Sequence, residues 1–320
     1  MLFVSLWNQR HRTSQAYRRC ITIEQASMKL LPAALICLFV VIGAVRAADI
    51  LEQPAPTSSD VSYGPDLRNV LDFWQASGEG PQPLLVYIHG GGWLTGDKSK
   101  KGPAIQQFLD KGISFAAINY RLTPEHPLPR PIHDAARAIQ FLRSKANDWI
   151  IDTKRIVLTG PSAGACTSMW LLLHEDLADP NATDPVLRES TRVCAASVSV
   201  GQTSIDPKVI EGWLGPNVLK HPMIAQAVGE KNIEDVIKGY DLYRDLYVEF
   251  SPINHVDSRD PPLFMTCSAE MDLPSRDSGH GIHHPVYGLK LKEKSDAVGH
   301  EAGRLDGLST VKMTATVGSA

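Results

Sequence analysis

Residues 155–164 read RIVLTGPSAG. Arg155 to Thr159 is rich in aliphatic and β-branched residues, the composition of a buried strand, and Ala163 to His174 (AGACTSMWLLLH) reads as a helix. The pentapeptide Gly160-Pro161-Ser162-Ala163-Gly164 therefore falls where a strand turns sharply into a helix. Such a turn lifts a serine hydroxyl above the sheet, and glycines flank it because side chains there would collide with the neighbouring strand and helix. The helix start also favours developing negative charge. Short glycine/serine loops are common, so the pentapeptide alone decides little. Its strand–turn–helix setting makes Ser162 the candidate nucleophile.

Working outward, the same rhythm recurs. Leu84 to Ile88, Ile113 to Tyr120, Val193 to Val200 (VCAASVSV) and Pro262 to Ser268 (PLFMTCS) read as buried strands. Between them, Ile132 to Ala146 carries Ala135, Ala136, Ile139, Leu142 and Ala146 at helical spacing, and His284 to Ala297 forms a further helix. Near-continuous apolar strands alternating with helices predict an α/β fold, a mostly parallel sheet with helices on both faces. Residues 201–261 break the rhythm. A connection that long between two strands predicts a functional insertion, read as a lid, with helix-compatible pieces such as Ile233 to Val248.

A second motif concerns charge. Val86-Tyr87-Ile88-His89-Gly90-Gly91-Gly92-Trp93 is a strand ending in three glycines. Bare backbone amides can approach a carbonyl oxygen that becomes negative during acyl transfer, which assigns Gly91 and Gly92, with Ala163, as oxyanion donors. A phosphate-binding loop is the competing use of such glycines. Asp97 and Lys98 follow Gly96, so the G-K-[ST] ending is missing, and Thr95 breaks G-x-G-x-x-G. His89 is expected to fix the loop rather than to act as a base.

HGGGW, then Tyr120-Arg121-Leu122-Thr123-Pro124-Glu125-His126-Pro127, then GPSAG resemble, in order and spacing, the α/β hydrolases related to hormone-sensitive lipase and the bacterial feruloyl and acetyl xylan esterase-like group, over roughly residues 60–296. The resemblance implies an α/β-hydrolase fold and a serine carboxylic ester hydrolase working through an acyl-enzyme, without a cofactor. Tyr120 and Arg121 would shape the loop beside the site. It also implies a triad in the order serine, acid, histidine. After PLFMTCS the chain reads Ala269-Glu270-Met271-Asp272, so Asp272 is the expected acid and Glu270 the runner-up.

The base departs from this pattern. It should follow a strand after the last helix, yet His300 is the final histidine and residues 301–320 contain none. His280, His283 and His284 lie soon after Asp272, where a base would need unusual geometry; His300 and His283 are the candidates. A truncated or frame-shifted tail over 297–320, recruitment of one of these histidines, and a catalytically impaired protein all fit. A binding protein on a hydrolase fold and a small-peptide serine peptidase are the competing functions.

The bulk properties are those of an ordinary soluble domain: 320 residues, 43% hydrophobic, 21% charged, net charge −3. That balance gives no reason to propose nucleic acid or an anionic membrane as partner. From Met28 the sequence MKLLPAALICLFVVIGAVRAADI reads as a signal peptide ending at Ala47, with residues 1–27 a spurious extension and 48–320 the hydrolase domain. Secretion or export to a periplasm is expected, with membrane contact only through that segment; a retained anchor is the competing reading. The ester would then be a small molecule or one linked to a polysaccharide. Cys166, Cys194 and Cys267 sit in apolar runs and are expected in the core. His280, His283 and His284 lack a third-ligand spacing, so no metal site is assigned. Asn181-Ala182-Thr183 is a glycosylation sequon.

Overall fold

The computed structural model describes residues 53–99 and 104–306, so the expected leader and the tail beyond 306 lie outside the described residues. At the centre is an 8-stranded sheet in the order β1-β2-β4-β3-β5-β6-β7-β8. Its strands are β1 (Ser58–Ser62), β2 (Val70–Trp74), β3 (Gln82–Ile88), β4 (Ser114–Ile118), β5 (Ile151–Pro161), β6 (Ala195–Ser199), β7 (Leu263–Cys267) and β8 (Ala302–Asp306). The first two pair antiparallel, and β3 to β8 run parallel. This is the α/β-hydrolase fold.

Side chains alternate across a strand, and β3 shows what that alternation does. Leu84, Val86 and Ile88 join the larger core cluster, whereas Leu85 and Tyr87 join a second one with Trp74, Ile105 and Phe115. Both faces of the sheet are therefore covered. Helix α1 (Ile105–Leu109) supplies the smaller cluster, and α2 (Arg130–Ser144) the larger. Ile132, Ala135, Ile139 and Leu142 form one buried stripe on α2. Burying each large aliphatic there contributes about 1.5–3 kcal/mol.

Helix α3 (Ala163–Leu173) joins β5 to β6; between β6 and β7 come α4 (Pro207–Leu214), α5 (Pro222–Gln226), α6 (Ile233–Lys238) and α7 (Tyr240–Glu249); α8 (Ser278–Ile282) and α9 (Val286–Val298) precede β8. The expected helical piece Ile233 to Val248 is thus two helices, broken at Gly239, whose residue conformation ends α6 and begins α7. Strands β1 (SSDVS) and β2 (VLDFW) were not among the expected strands. Cys166 and Cys267 are buried as expected, whereas Cys194 is only half-buried; burial raises the Cys166 thiol pKa.

The segment after β4 is held by charge. Asp134, only 3% exposed on α2, accepts from the Arg121 amide at 3.0 Å and from its guanidinium at 2.8 and 2.6 Å. Removing one partner leaves the other charge buried and unpaired. Asp134→Asn is expected to lower stability by about 3 kcal/mol in urea titrations.

Candidate active site

Ser162 follows β5 and caps α3, with φ 53° and ψ −121°. A side chain is rarely found at such a φ, so the surroundings must enforce it. The Ser162 amide donates to the Ser199 carbonyl at 3.0 Å, and the Ser162 carbonyl accepts from Cys166. The flanking glycines are sterically required: a Cβ on Gly160 would stand 2.2 Å from the Ile88 carbonyl oxygen, and one on Gly164 only 2.0 Å from it. The start of α3 is thereby pressed against the end of β3.

That contact brings the glycine run to the serine. A Cβ on Gly90 would lie 3.4 Å from the Ser162 Cβ. Gly91 and Gly92 adopt φ of 100° and 64°, and a Cβ on Gly91 would strike the Thr95 carbonyl oxygen at 2.2 Å. The Gly91 carbonyl accepts from the amides of Leu94 and Thr95, while the Gly91 and Gly92 amides have no backbone partner among the described residues. Trp93, fully buried, ties the loop to α3 through its indole N–H, which donates to Thr167 Oγ1 at 3.0 Å. His89 stacks on Tyr120 at 4.1 Å, and its Nδ1 lies 2.8 Å from the Gly90 carbonyl. Burial pushes its pKa down to about 4, leaving a neutral ring that fixes the loop. Tyr120 donates to the His89 carbonyl at 2.7 Å, the shaping role expected of it.

The histidine against the serine is His283, with Nε2 2.9 Å from Ser162 Oγ. It follows α8, between β7 and β8, upstream of the strand after which a base was sought. Burial holds its pKa below the ordinary histidine value, and a hydrogen bond with the Gly279 carbonyl opposes this in part. With the proton on the other ring nitrogen, the Nε2 lone pair faces the serine hydroxyl at 2.9 Å. A neutral imidazole so oriented can take the proton of an attacking hydroxyl.

His300, the other candidate, is corrected by the structure. It sits buried ahead of β8, where its ring meets Ser295 Oγ at 3.1 Å and the Pro261 carbonyl at 2.9 Å. Ser162 lies past the C-terminal end of β5, so His300 occupies the opposite end of the parallel strands. The acid assignments are corrected too. Asp272 and Glu270 are exposed, and among the described residues no carboxylate is hydrogen-bonded to His283. Asp272 works through its main chain, its carbonyl meeting His284 Nε2 at 3.1 Å, and the Glu270 carboxylate pairs with Arg276. Loop carboxylates left in water keep their hydration, and nothing here draws either one inward.

The insertion packs on this centre. Met223 of α5 covers Gly92, lying 3.3 Å from where a Cβ would be, and Val218 is as close as 2.9 Å to the corresponding point on Gly281 in α8. The Asn217 amide donates to the Ser275 carbonyl at 2.8 Å, and the Ser275 amide to that of Leu214 at 2.7 Å. Burial, and secondarily the nearby His283 ring, hold the His221 pKa below the ordinary histidine value. A cavity of about 370 Å³ lined by His174, Arg192, His255 and Arg259 lies at the other end of the strands and shares no residue with this centre.

A family model, BD-FAE, matches residues 71–274, a span that ends before His283. Esterase LipQ of Mycobacterium tuberculosis is 27% identical over 216 residues, 66% of this chain and 48% of that protein. A probable carboxylic ester hydrolase of the same organism, LipM, is 29% identical over 64% of this chain and 46% of its own length. The chain thus spans about half the length of the curated relatives it matches. Among solved structures, a truncated carbohydrate esterase from gut microbiota superposes with a TM-score of 0.63 at 21% identity, covering 80% of this chain and 90% of that one. An acetyl ester-xyloside bifunctional hydrolase from Caldicellulosiruptor lactoaceticus gives 0.57, also at 21%, covering 74% and 77%. At that identity the likeness concerns the fold.

Proposed function

Since the chain belongs to the BD-FAE family, we propose that it is a serine carboxylic ester hydrolase in which Ser162 and His283 form the working pair. The observation that carries this reading is the 2.9 Å contact between Ser162 Oγ and His283 Nε2 beside the glycine loop. Ser162 Oγ attacks the ester carbonyl carbon while its proton passes to Nε2. The oxyanion is received by the amides of Gly91, Gly92 and Ala163, each such donor contributing about 2.7–4 kcal/mol to the transition state. Ala163 has its amide to offer because the first turn of a helix lacks internal acceptors. The imidazolium then protonates the departing alcohol, and water, deprotonated by the same ring, releases the acid.

The substrate is an acyl ester on a small molecule or a polysaccharide, a class suggested by relatives named as carbohydrate and acetyl ester hydrolases. The apolar run between Leu30 and Val45 supports export to a periplasm or the medium. Residues 201–261 act as the lid, a role favoured by the packing of Met223 on Gly92. With no carboxylate hydrogen-bonded to His283 among the described residues, turnover is expected to fall below that of a full triad.

A fluorophosphonate probe tests the assignment, because an activated serine reacts and a merely exposed one does not. Labelling is expected at one equivalent, mapped to Ser162, together with hydrolysis of nitrophenyl acetate. A folded protein that neither labels nor turns over this ester removes the proposal.

A further inference from the structure

One short loop touches both members of the pair. Ser199 ends β6, and its carbonyl accepts the Ser162 amide at 3.0 Å. Val200 follows with φ 44°, a backbone conformation that a β-branched residue rarely adopts, and its amide donates to Thr266 of β7 at 2.8 Å. Gly201 is pressed against α3: a Cβ there would meet the Ala165 Cβ at 2.6 Å and the Met169 Cε at 2.8 Å. Gln202, with no exposed surface, then reaches across to donate Nε2–H to the carbonyl of Ile282 at 2.6 Å, the peptide that leads into His283. Its Oε1 is buried without a partner. Its Nε2 also reaches the Val200 carbonyl of the same loop at 3.5 Å, so the short bond to Ile282 is the one that ties the loop to the histidine segment.

Other groups close the same grip. Ser268 Oγ donates to the His283 carbonyl at 3.4 Å, and Thr203 Oγ1 to that of Tyr287 at 3.0 Å. In a triad, a carboxylate locks the imidazole through its ring. Here, among the described residues, no carboxylate meets the ring, so the segment that carries His283 must be fixed from elsewhere.

We infer that Gln202 is the positioning residue of the site: through the strained Ser199–Gln202 loop it sets the separation of Ser162 and His283, doing for the backbone what a triad acid does for the ring. The inference rests on the proposed roles of Ser162 and His283. Gln202 touches neither substrate nor reacting atom, and its effect passes through Ile282.

Gln202→Met keeps the volume and removes the donor. The full chain carrying it is expected to lose about 10- to 100-fold in kcat on nitrophenyl acetate, as for a displaced reacting group, with KM unchanged. The acid limb of its pH–rate profile should also move up towards the ordinary histidine range, because a loosened ring regains solvent. A merely structural role would lower the folded fraction and leave the kinetics and pH profile of the folded enzyme alone. Wild-type kcat in folded Gln202→Met overturns the inference. Should that variant not fold, Val200→Gly decides, since glycine relieves the strain. It is expected to melt no lower than the parent yet lose about 3- to 10-fold in kcat; an unchanged kcat overturns the inference. His283→Ala, run in parallel, separates the two levels. If it is inactive while Gln202→Met is unimpaired, only the positioning role fails; if it is as active as the parent, the catalytic pair fails as well.

Discussion

Replacing His283 by alanine is expected to cut kcat/KM for short nitrophenyl esters by about 10⁴-fold or more, with the fold retained. The loss should be that large because the serine hydroxyl has no other described base within reach: Nε2 of His283 lies 2.9 Å away, whereas His89 is locked neutral in the glycine loop. Adding Ser162→Ala to the same chain should cost little more, since nucleophile and base act as a unit. His300→Gln, at the far end of the strands, should leave the rate constant of the folded protein unchanged. The pH profile supplies the sign. The base works when neutral, so activity is full at neutral pH and falls as pH drops through the folded pKa of His283. Burial holds that value below the ordinary 6.5, so the acid limb must lie below about 6.5. Stability follows the same direction. The unfolded chain takes up these protons at higher pH than the folded one, so the contribution from neutral His283 and His89 is complete above about 6.5 and is lost on acidification. For His89 the loss runs down to about 4. An activity profile whose acid limb lies above 7, or a His283→Ala variant of parental activity, would refute this account.

Gly164→Ala is the second large effect. The added methyl carbon would stand 2.0 Å from the Ile88 carbonyl oxygen and 2.7 Å from that of His89. Both obstacles are backbone, one at the end of a central strand and one entering the glycine loop, so no rotamer change relieves the clash. Overpacking against yielding side chains costs about 1–3 kcal/mol. Against backbone the expectation is about 4 kcal/mol or more, seen as insoluble protein or a melting temperature about 10 °C lower. Gly212→Ala is the control. Nothing lies within 4 Å of its added Cβ, and it sits inside α4. It should stabilise by about 0.5–1 kcal/mol. Equal melting temperatures for Gly164→Ala and the parent would contradict the described packing of α3 on β3.

The same local chemistry explains what could be read in advance. The turn at Ser162 and the glycine loop were legible because each is encoded within a few consecutive residues whose backbone demands admit little but glycine. The parallel strands were legible because burial on both faces leaves near-continuous apolar runs. Strand β1 was not: as a sheet edge it exposes polar residues and carries no alternation. Strand β2 was hidden by Asp72, a charge inside VLDFW that is compensated by Lys98, distant in sequence, at 2.7 Å and by the Asp60 amide at 2.9 Å. The histidine was left open between His283 and His300 for a different reason. His283 was visible as a candidate, but its value depends on where α8 is carried by contacts from Gln202, Asn217 and Ser268, none of which has a sequence signature. The acid was sought in the loop after β7, yet solvent exposure decides whether a carboxylate there turns inward, and a one-dimensional pattern does not record it.

The position of His283 ahead of β8 has a mechanical consequence. The two reacting side chains are 121 residues apart, and both belong to the chain that precedes the outermost strand. Among the described residues that strand is hydrogen-bonded on one side only, to β7. The rim of a sheet is where local opening costs least. In this architecture such fraying would uncover the flank of β7 while the hydroxyl and the imidazole stayed in register, so the sheet's most easily peeled margin is decoupled from the atoms assigned to bond making.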